Sequence, residues 1–126
     1  MGHQPPLIAV VDDDADVRHA LQRLALAAGL AAQVYASGEA FLQSLDDHEP
    51  DCVVLDLHMP GLDGFAVQAA LRRRGSTLPV LVITGDDRPA TRRRAMALGA
   101  RGYLRKPVDG EQLLAAIGAV LRAGAP

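Results

Sequence analysis

Five polar residues of this chain have types that together can perform phosphoryl chemistry: Asp12, Asp13, Asp56, Thr84 and Lys106. If the three carboxylates come together, they repel one another and at least one pKa rises. A bound Mg²⁺ and the lysine ammonium would bring the summed charge to zero, and carboxylate oxygens are ligands that this ion prefers. One carboxylate can then act as a nucleophile toward a phosphoryl group, with the threonine hydroxyl as a donor to the product.

These residues end or follow short apolar runs, and such runs predict buried strands. Strands are predicted at Leu7–Val11, 51–55, 79–83 and 102–104, with a weaker one at Ala31–Tyr35 that supplies no polar residue. Helices are predicted between them, at 14–28, after a Ser37 cap, at 64–74, at 89–98, and after an Asp109 cap with Leu113, Leu114, Ile117, Val120 and Leu121 on one face. On the first helix, the predicted buried face carries Val17, Leu21, Leu24 and Ala28.

Alternating strands and helices predict an α/β fold, a (βα)₅ doubly wound sandwich of three layers with five parallel strands. In the flavodoxin-like strand order 2-1-3-4-5, strands one and three are neighbours and the second strand lies at the edge. The polar residues at the carboxyl ends of the other four strands are therefore expected to lie close together.

Composition limits the class of protein. The 126 residues, 49% apolar and 22% charged, predict one globular domain over residues 1–126 with a core at about 7–122. A net charge of −2 argues against bulk binding of nucleic acid, and Cys52, the single cysteine, is expected to be a buried structural thiol. There is no apolar run of membrane-spanning length and no signal-peptide pattern, so a cytoplasmic location is expected. The tail 124–126 is a candidate start of a linker.

Four short motifs resemble the receiver domain of bacterial two-component response regulators. They are VVDDD at 10–14, LDLHMPGLDG at 55–64, ITG at 83–85 and YLRKP at 103–107. Each motif alone is weak, but the four occur in order at predicted strand ends, and the resemblance covers about 7–122. The resemblance implies the same flavodoxin-like, CheY-like fold.

The resemblance also implies roles for the polar residues. Asp56 is the expected phosphoacceptor, and Thr84 and Lys106 are expected to contact the phosphoryl oxygens. Asp13 is the expected direct ligand of Mg²⁺, for which Mn²⁺ can substitute, and Asp12 is expected to act mainly through water. Asp56 and the backbone carbonyl of His58 complete the implied set of metal ligands.

Further positions match parts of the family that control the switch. Tyr103 occupies the position of an aromatic residue that turns inward when Thr84 is drawn to the phosphate. His58 and Asp86, two residues after Asp56 and Thr84, match positions that tune the lifetime of the aspartyl phosphate. The Lys106–Pro107 peptide bond is often cis in the family.

The function implied is a phosphorylation switch rather than an enzyme with turnover. A sensor histidine kinase or a phosphotransfer protein would supply the phosphoryl group in a magnesium-dependent reaction. The changed surface of helix four, strand five and helix five would regulate an output protein or a further C-terminal domain, with a phosphorylation-dependent dimer as one outcome. Direct contact of this domain with nucleic acid or membrane is not expected.

Two rival functions remain open on the sequence. One is a constitutive protein-binding module with the same fold, against which the complete set of pocket residues argues. The other is a metal-dependent phosphohydrolase with an aspartate nucleophile, which needs a general acid or base and a cap that the sequence has no segment to build. The histidines lack the spacing of zinc ligands, and there is no nucleotide-binding glycine loop.

Plainer structural interpretations also stand beside several motifs. Residues Asp12 to Asp14 can serve only to cap the first helix, and Asp14 itself is expected to be a cap. Asp63 and Gly64 indicate a turn into a helix. Tyr103 can be an ordinary core aromatic, and the arginines at 92–94 can be either a solvated helix face or a contact for a partner.

Overall fold

A computed structural model of the chain describes residues 4–123. The amino-terminal residues 1–3, part of the stretch in which the sequence predicts no signal peptide, lie outside the described residues. So does the tail 124–126, the predicted start of a linker. In the part that is described, no helix combines the length and the apolar character needed to cross a membrane.

Five strands alternate with five helices, as the pattern of apolar runs predicts. The strands are β1 at Leu7–Val11, β2 at Ala31–Tyr35, β3 at Cys52–Asp56, β4 at Val80–Thr84 and β5 at Gly102–Arg105. The helices are α1 at Ala15–Ala27, α2 at Gly38–Ser44, α3 at Gly64–Arg73, α4 at Pro89–Ala97 and α5 at Gly110–Ala123.

The strands form one parallel sheet in the order β2-β1-β3-β4-β5, which confirms the predicted topology. Apolar side chains cover both faces of the sheet in two separate clusters. Phe41 and Phe65 belong to the first cluster, with α2 and α3, and Leu21 and Ile117 belong to the second, with α1 and α5. Because both faces are covered, the three central strands consist almost entirely of apolar residues.

Strands β3, β4 and β5 each extend one residue further at the carboxyl end than predicted. Asp56 pairs with Ile83, and Thr84 pairs with Arg105, so polar side chains occupy the last positions of the ladder. Backbone hydrogen bonds do not depend on side-chain polarity, and an apolar run therefore underestimates the length of a strand. Asp56 and Thr84 are consequently held by the sheet itself.

Side-chain caps fix the starts of most helices. Asp14, Ser37 and Asp63 accept hydrogen bonds from backbone N–H groups in the first turns of α1, α2 and α3, and Asp109 accepts one from Gln112 at α5. These caps confirm the predictions at Asp14, Ser37 and Asp109, and the turn predicted at Asp63.

The prediction of the buried face of α1 is wrong at the carboxyl-terminal end of the helix. Ala25 is buried, whereas Ala28 is the exposed C-cap residue, with Gly29 beyond it at a positive φ of 82°. The last turn of α1 departs from the apolar stripe because the chain is already leaving the helix.

Gly64 is required by a close approach between two elements. A Cβ atom at this position would lie 2.5 Å from the carbonyl oxygen of Asp56 and 2.7 Å from Cα of Leu57. The Gly64 N–H also donates to the carbonyl of Leu57 at 3.0 Å. Any side chain here would push the start of α3 away from the end of β3, which carries Asp56.

Candidate functional site

Three carboxylates converge at the carboxyl edge of the sheet. One ligand atom from each of Asp12, Asp13 and Asp56 lies within 4.8 Å of the others. Asp12 and Asp56 are buried, with exposed fractions of 0% and 2%, whereas Asp13 is exposed. The predicted convergence of these residues is thus present in the fold, with two acids inside and one at the mouth.

Lys106 supplies the positive charge at the centre of this acidic cluster. Its Nζ lies 2.8 Å from Oδ2 of Asp12 and 3.4 Å from Oδ1 of Asp56. Burial works to lower the pKa of Lys106, but the contact with Asp12 and the charges of Asp56 and Asp12 outweigh it and raise the pKa. The lysine therefore stays an ammonium, on a loop in which the Lys106–Pro107 peptide bond is cis.

Asp56 is a carboxylate of the cluster whose pKa is raised. Burial, and then repulsion by Asp12, raise its pKa to about 6, against the opposing effects of Lys106 and of the His58 N–H. One positive group does not compensate for three carboxylates in a site where charges are poorly solvated. This imbalance favours the entry of a further cation.

Asp12 offers a buried oxygen with unused acceptor capacity. Its Oδ1 accepts from the Asp14 N–H at 2.9 Å, but Oδ2 is buried and has no hydrogen bond. The Lys106 ammonium is close enough to Oδ2 for an ion pair, although its angle of approach lies outside hydrogen-bond geometry. A buried carboxylate oxygen without a hydrogen bond beside two other carboxylates fits a hard divalent cation such as Mg²⁺.

The two oxygens of Asp56 have different surroundings. Oδ1 accepts from the His58 N–H at 3.3 Å and faces Lys106. Among the described residues no donor reaches Oδ2, and this oxygen is not one of the fully buried atoms without a partner, so it keeps some contact with solvent. Oδ2 is therefore the oxygen of Asp56 that a reacting group can approach.

Thr84 is connected to the following loop rather than to Asp56. Its side chain is fully buried, and its Oγ1 accepts from the Asp86 N–H at 3.0 Å. The Asp86 carbonyl in turn accepts from the hydroxyl of Tyr103 at 2.6 Å. Burial, and then the charges of Asp86 and Asp87, raise the pKa of Tyr103, so its hydroxyl remains a donor.

The Asp86 carboxylate is held by its own loop and by α4. Arg88 donates to both carboxylate oxygens, at 2.6 to 3.1 Å, and the Thr91 hydroxyl donates at 2.8 Å. Arg88 holds the pKa of Asp86 well below its usual range. Arg88, the N-cap residue of α4, gives the helix no side-chain cap, and its own N–H donates to Asp86 Oδ1 at 3.0 Å. His58 approaches the same carboxylate, with Nε2 at 3.6 Å from Oδ2.

Sequence reasoning missed three residues that support the site. Arg88 and Thr91 hold Asp86, and Arg18 donates from NH1 to the backbone carbonyl of Asp12 at 2.8 Å. A signal for the first pair was present, because Pro89 marks the start of α4 and leaves Arg88 in the cap position without a capping side chain. No local pattern points to Arg18.

Cys52 takes no part in this site. It is fully buried in β3, and burial, with a smaller effect of Asp51, raises the pKa of its thiol to about 12. A thiol with so high a pKa is a poor nucleophile and a poor ligand, which agrees with the predicted structural role.

Comparison with known proteins assigns this arrangement to a family. The family model described as the response regulator receiver domain matches residues 8–118. The chain belongs to the response regulator receiver family. As a receiver domain, it is a component of two-component signalling.

Relatives of this receiver agree in sequence and in structure. It is 41% identical to the response regulator MprA of Mycobacterium sp. (strain KMS), over 97% of this chain and 53% of that protein. It is 44% identical to the response regulator receiver protein from Burkholderia phymatum, with a TM-score of 0.83, over 96% of this chain and 98% of the other. Full-length FixJ from B. japonicum is 35% identical with a TM-score of 0.90, over 98% of this chain and 61% of FixJ.

The match to MprA covers this receiver almost completely but not the relative. The receiver spans about half the length of that curated relative, and 61% of full-length FixJ. What the remaining parts of those proteins do is therefore not a property of this chain.

Proposed function

We propose that this receiver is a phosphorylation switch that accepts a phosphoryl group on Asp56 from a phosphohistidine of a sensor histidine kinase or phosphotransfer protein. The observation that carries the proposal is the position of Asp56. It lies buried at the end of a central strand, with one oxygen facing Lys106 and the other keeping some contact with solvent. The family of the chain supports the same role.

The proposed step is a displacement at phosphorus. Asp56 Oδ2 forms a bond to the phosphorus as the bond from phosphorus to the histidine nitrogen breaks, and the imidazole leaves with that electron pair. The Lys106 ammonium, which is held near Asp56 by Asp12, bears part of the charge on the phosphoryl oxygens. The Thr84 hydroxyl can donate to the same oxygens, because its oxygen already accepts from the Asp86 N–H.

Asp12, Asp13, Asp56 and the backbone carbonyl of His58 would hold a Mg²⁺ ion, or Mn²⁺ in its place. When bound, that ion supplies neutralisation of the charge on the carboxylates and the phosphoryl oxygens. The cluster of three carboxylates and the buried Asp12 Oδ2, which has no hydrogen bond, support this assignment.

Asp86 is proposed to link the phosphoryl site to the conformational change. When Thr84 turns toward a phosphoryl oxygen, its hydrogen bond with the Asp86 N–H is strained, and the Asp86 carbonyl holds the Tyr103 hydroxyl. The loop before α4 and the ring of Tyr103 would then move together, which changes the surface of α4, β5 and α5. That surface is proposed to regulate an output protein or output domain, with a phosphorylation-dependent dimer as one form of the response.

The extent of the domain, its location and its lack of enzymatic turnover belong to the same proposal. We treat residues 1–126 as a single receiver domain in the cytoplasm that turns over no small phosphate esters apart from slow loss of its own phosphate. Contact with nucleic acid or membrane by this domain is not proposed.

Incubation with acetyl phosphate and Mg²⁺ tests the central step. Intact-mass measurement is expected to detect one added phosphoryl group in the parent and none in the Asp56→Asn variant or in the presence of a chelator. The Asp47→Asn variant is a matched control, because Asp47 is exposed and has no side-chain partner among the described residues. An equal mass gain in the Asp56→Asn variant would show that Asp56 is not the acceptor.

The lifetime of the phosphate is proposed to depend on His58 and Asp86. Their side chains approach each other to 3.6 Å beside the acceptor, where they can hinder an incoming water. We expect His58→Ala, followed after removal of excess acetyl phosphate, to lose its phosphate several-fold faster than the parent. Asp86→Ala is expected to act in the same direction, and His48→Ala, on an exposed loop, serves as the control. Parental rates in both variants would exclude this role.

A further inference from the structure

Helices α3 and α4 carry four exposed arginines to which the proposed phosphoryl transfer assigns no role. We propose that the surface they form docks an acidic segment of a partner protein. Arg72 and Arg73 lie in the last turn of α3, and Arg93 and Arg94 lie on α4. All four are exposed, and we call them the arginine ridge.

The two helices that carry the ridge are joined by contacts of these arginines. Arg72 NH1 donates to the Ala97 carbonyl of α4 at 2.9 Å. The guanidinium of Arg94 lies over the ring of Phe65 in α3, at 4.1 Å from the ring centroid. Buried between the helices, the Gln68 amide also donates to the Ala95 carbonyl at 3.0 Å. These contacts therefore limit the motion of Arg72 and Arg94, the latter by stacking on an aromatic ring.

No carboxylate neutralises the ridge. Neither α3 nor α4 contains an acidic residue, and no carboxylate of residues 4–123 forms an ion pair with any of the four arginines. By contrast, three neighbouring arginines do have carboxylate partners: Arg74 with Asp46, Arg88 with Asp86 and Arg105 with Asp87.

The helix dipole explains only part of this pattern. A cation in the last turn of a helix is stabilised by the partial negative charge there, which applies to Arg72, Arg73 and Arg94. It does not explain Arg93, which lies in the middle of α4 and faces away from the buried Thr91 and Ala95. A row of cations without counter-charges is a surface that attracts anions.

The distribution of charge selects the class of anion. Residues 64–105 carry nine arginines and two aspartates, whereas the rest of the chain carries four cationic side chains and thirteen carboxylates. A long polyanion such as a nucleic acid would extend beyond the ridge and meet this acidic remainder. A short acidic protein segment fits within the ridge, and guanidinium groups bind carboxylates with two parallel hydrogen bonds.

A fluorescein-labelled peptide of alternating glutamate and alanine is the probe. Fluorescence anisotropy at low ionic strength is expected to detect binding by the parent receiver that weakens with added salt and is absent for the matching glutamine peptide. The Arg73→Glu/Arg93→Glu variant is expected to bind at least about tenfold more weakly. The matched control, Arg23→Glu/Arg122→Glu, makes the same change of charge on α1 and α5 and is expected to stay within about twofold of the parent.

Several outcomes would overturn the proposal. They are equal weakening in the two double variants, no binding by the parent, or tighter binding of a single-stranded oligonucleotide of the same net charge. Self-association of the receiver that sedimentation detects and that the ridge variant loses would make a second copy the occupant instead. The Asp56→Asn variant is expected to bind the peptide as the parent does, so the docking surface can fail or succeed independently of phosphorylation.

Discussion

Replacing Asp56 by asparagine is expected to stabilise the metal-free receiver at about pH 8 by up to about 3 kcal/mol. The parent carries Asp56 as a buried anion beside Asp12, and burial raises the pKa of Asp56 from 3.8 to about 6. Each pKa unit corresponds to about 1.4 kcal/mol of preference for the protonated form in the folded state. Asparagine keeps an oxygen that can accept from the His58 N–H but carries no charge.

The sign of the pH dependence follows from the raised pKa. The folded protein binds the Asp56 proton more tightly than the unfolded chain, so this group favours folding below about pH 4, where both states are protonated. Its contribution is lost as the pH rises through about 6, because deprotonation then favours the unfolded chain. The advantage of the asparagine variant should therefore grow from about pH 4 to about pH 7 and then level off.

Urea unfolding with a chelator present, at several pH values across this range, measures the effect. Asp47→Asn is the control and is expected to change the free energy of unfolding by less than about 0.5 kcal/mol, because Asp47 is exposed. Added Mg²⁺ should stabilise the parent more than the asparagine variant, since a ligand of the folded state stabilises that state. An Asp56→Asn variant that is less stable than the parent at about pH 8 would contradict the raised pKa.

The sheet and the convergence of its polar ends were predictable from the sequence for a simple reason. Asp12, Asp56, Thr84 and Lys106 end or follow runs of apolar residues, and parallel strands bring such ends to one edge. Once the strand order was assumed, placement of these residues required no knowledge of side-chain conformation. The helix caps at Asp14 and Ser37 were equally accessible, because a cap depends on local chain geometry alone.

The sequence does not show which carboxylate of the site is buried and which is exposed. Asp12 and Asp13 are adjacent residues of the same type, yet one is fully buried and the other is exposed. Successive side chains at the end of a strand point to opposite sides, and only the packing of the surrounding elements decides which side is covered. The solvation of each carboxylate depends on that choice.

The surroundings of Asp86 illustrate a second limit. The resemblance placed Asp86 at a position that tunes the lifetime of the aspartyl phosphate. In the structure it accepts from the side chains of Arg88 and of Thr91 in α4. The competing partner is only two residues away, but whether an arginine folds back onto an aspartate depends on rotamers that a sequence pattern does not specify. Its proposed effect on phosphate lifetime therefore includes the position of α4 as well as any contact with water.

Replacing Lys106 by methionine is expected to destabilise the metal-free receiver by about 3 kcal/mol at about pH 8. Methionine keeps most of the aliphatic stem but removes the ammonium that lies 2.8 Å from Asp12 and 3.4 Å from Asp56. Two buried carboxylates then remain without an opposite charge, and loss of one partner of a buried pair is costly for that reason. The lysine is about one quarter exposed, which keeps the expected loss at the lower end of the range for buried pairs.

The loss of stability in the Lys106→Met variant should depend on pH and on the Asp56 carboxylate. Without the ammonium the pKa of Asp56 rises further, so protonation at about pH 5 relieves the repulsion and the variant should recover part of its stability. In the same way, Lys106→Met is expected to cost less in the Asp56→Asn background, with a coupling free energy of about 1 kcal/mol or more in a double-mutant cycle.

Arg23→Met, on an exposed part of α1, controls for the loss of a surface charge. Additive effects of the two substitutions, together with a loss that is the same at both pH values, would mean that Lys106 does not act on Asp56 through charge. The lysine would then be free to serve only the phosphorylated state, and the stability of the empty site would have to come from solvent reaching Asp12.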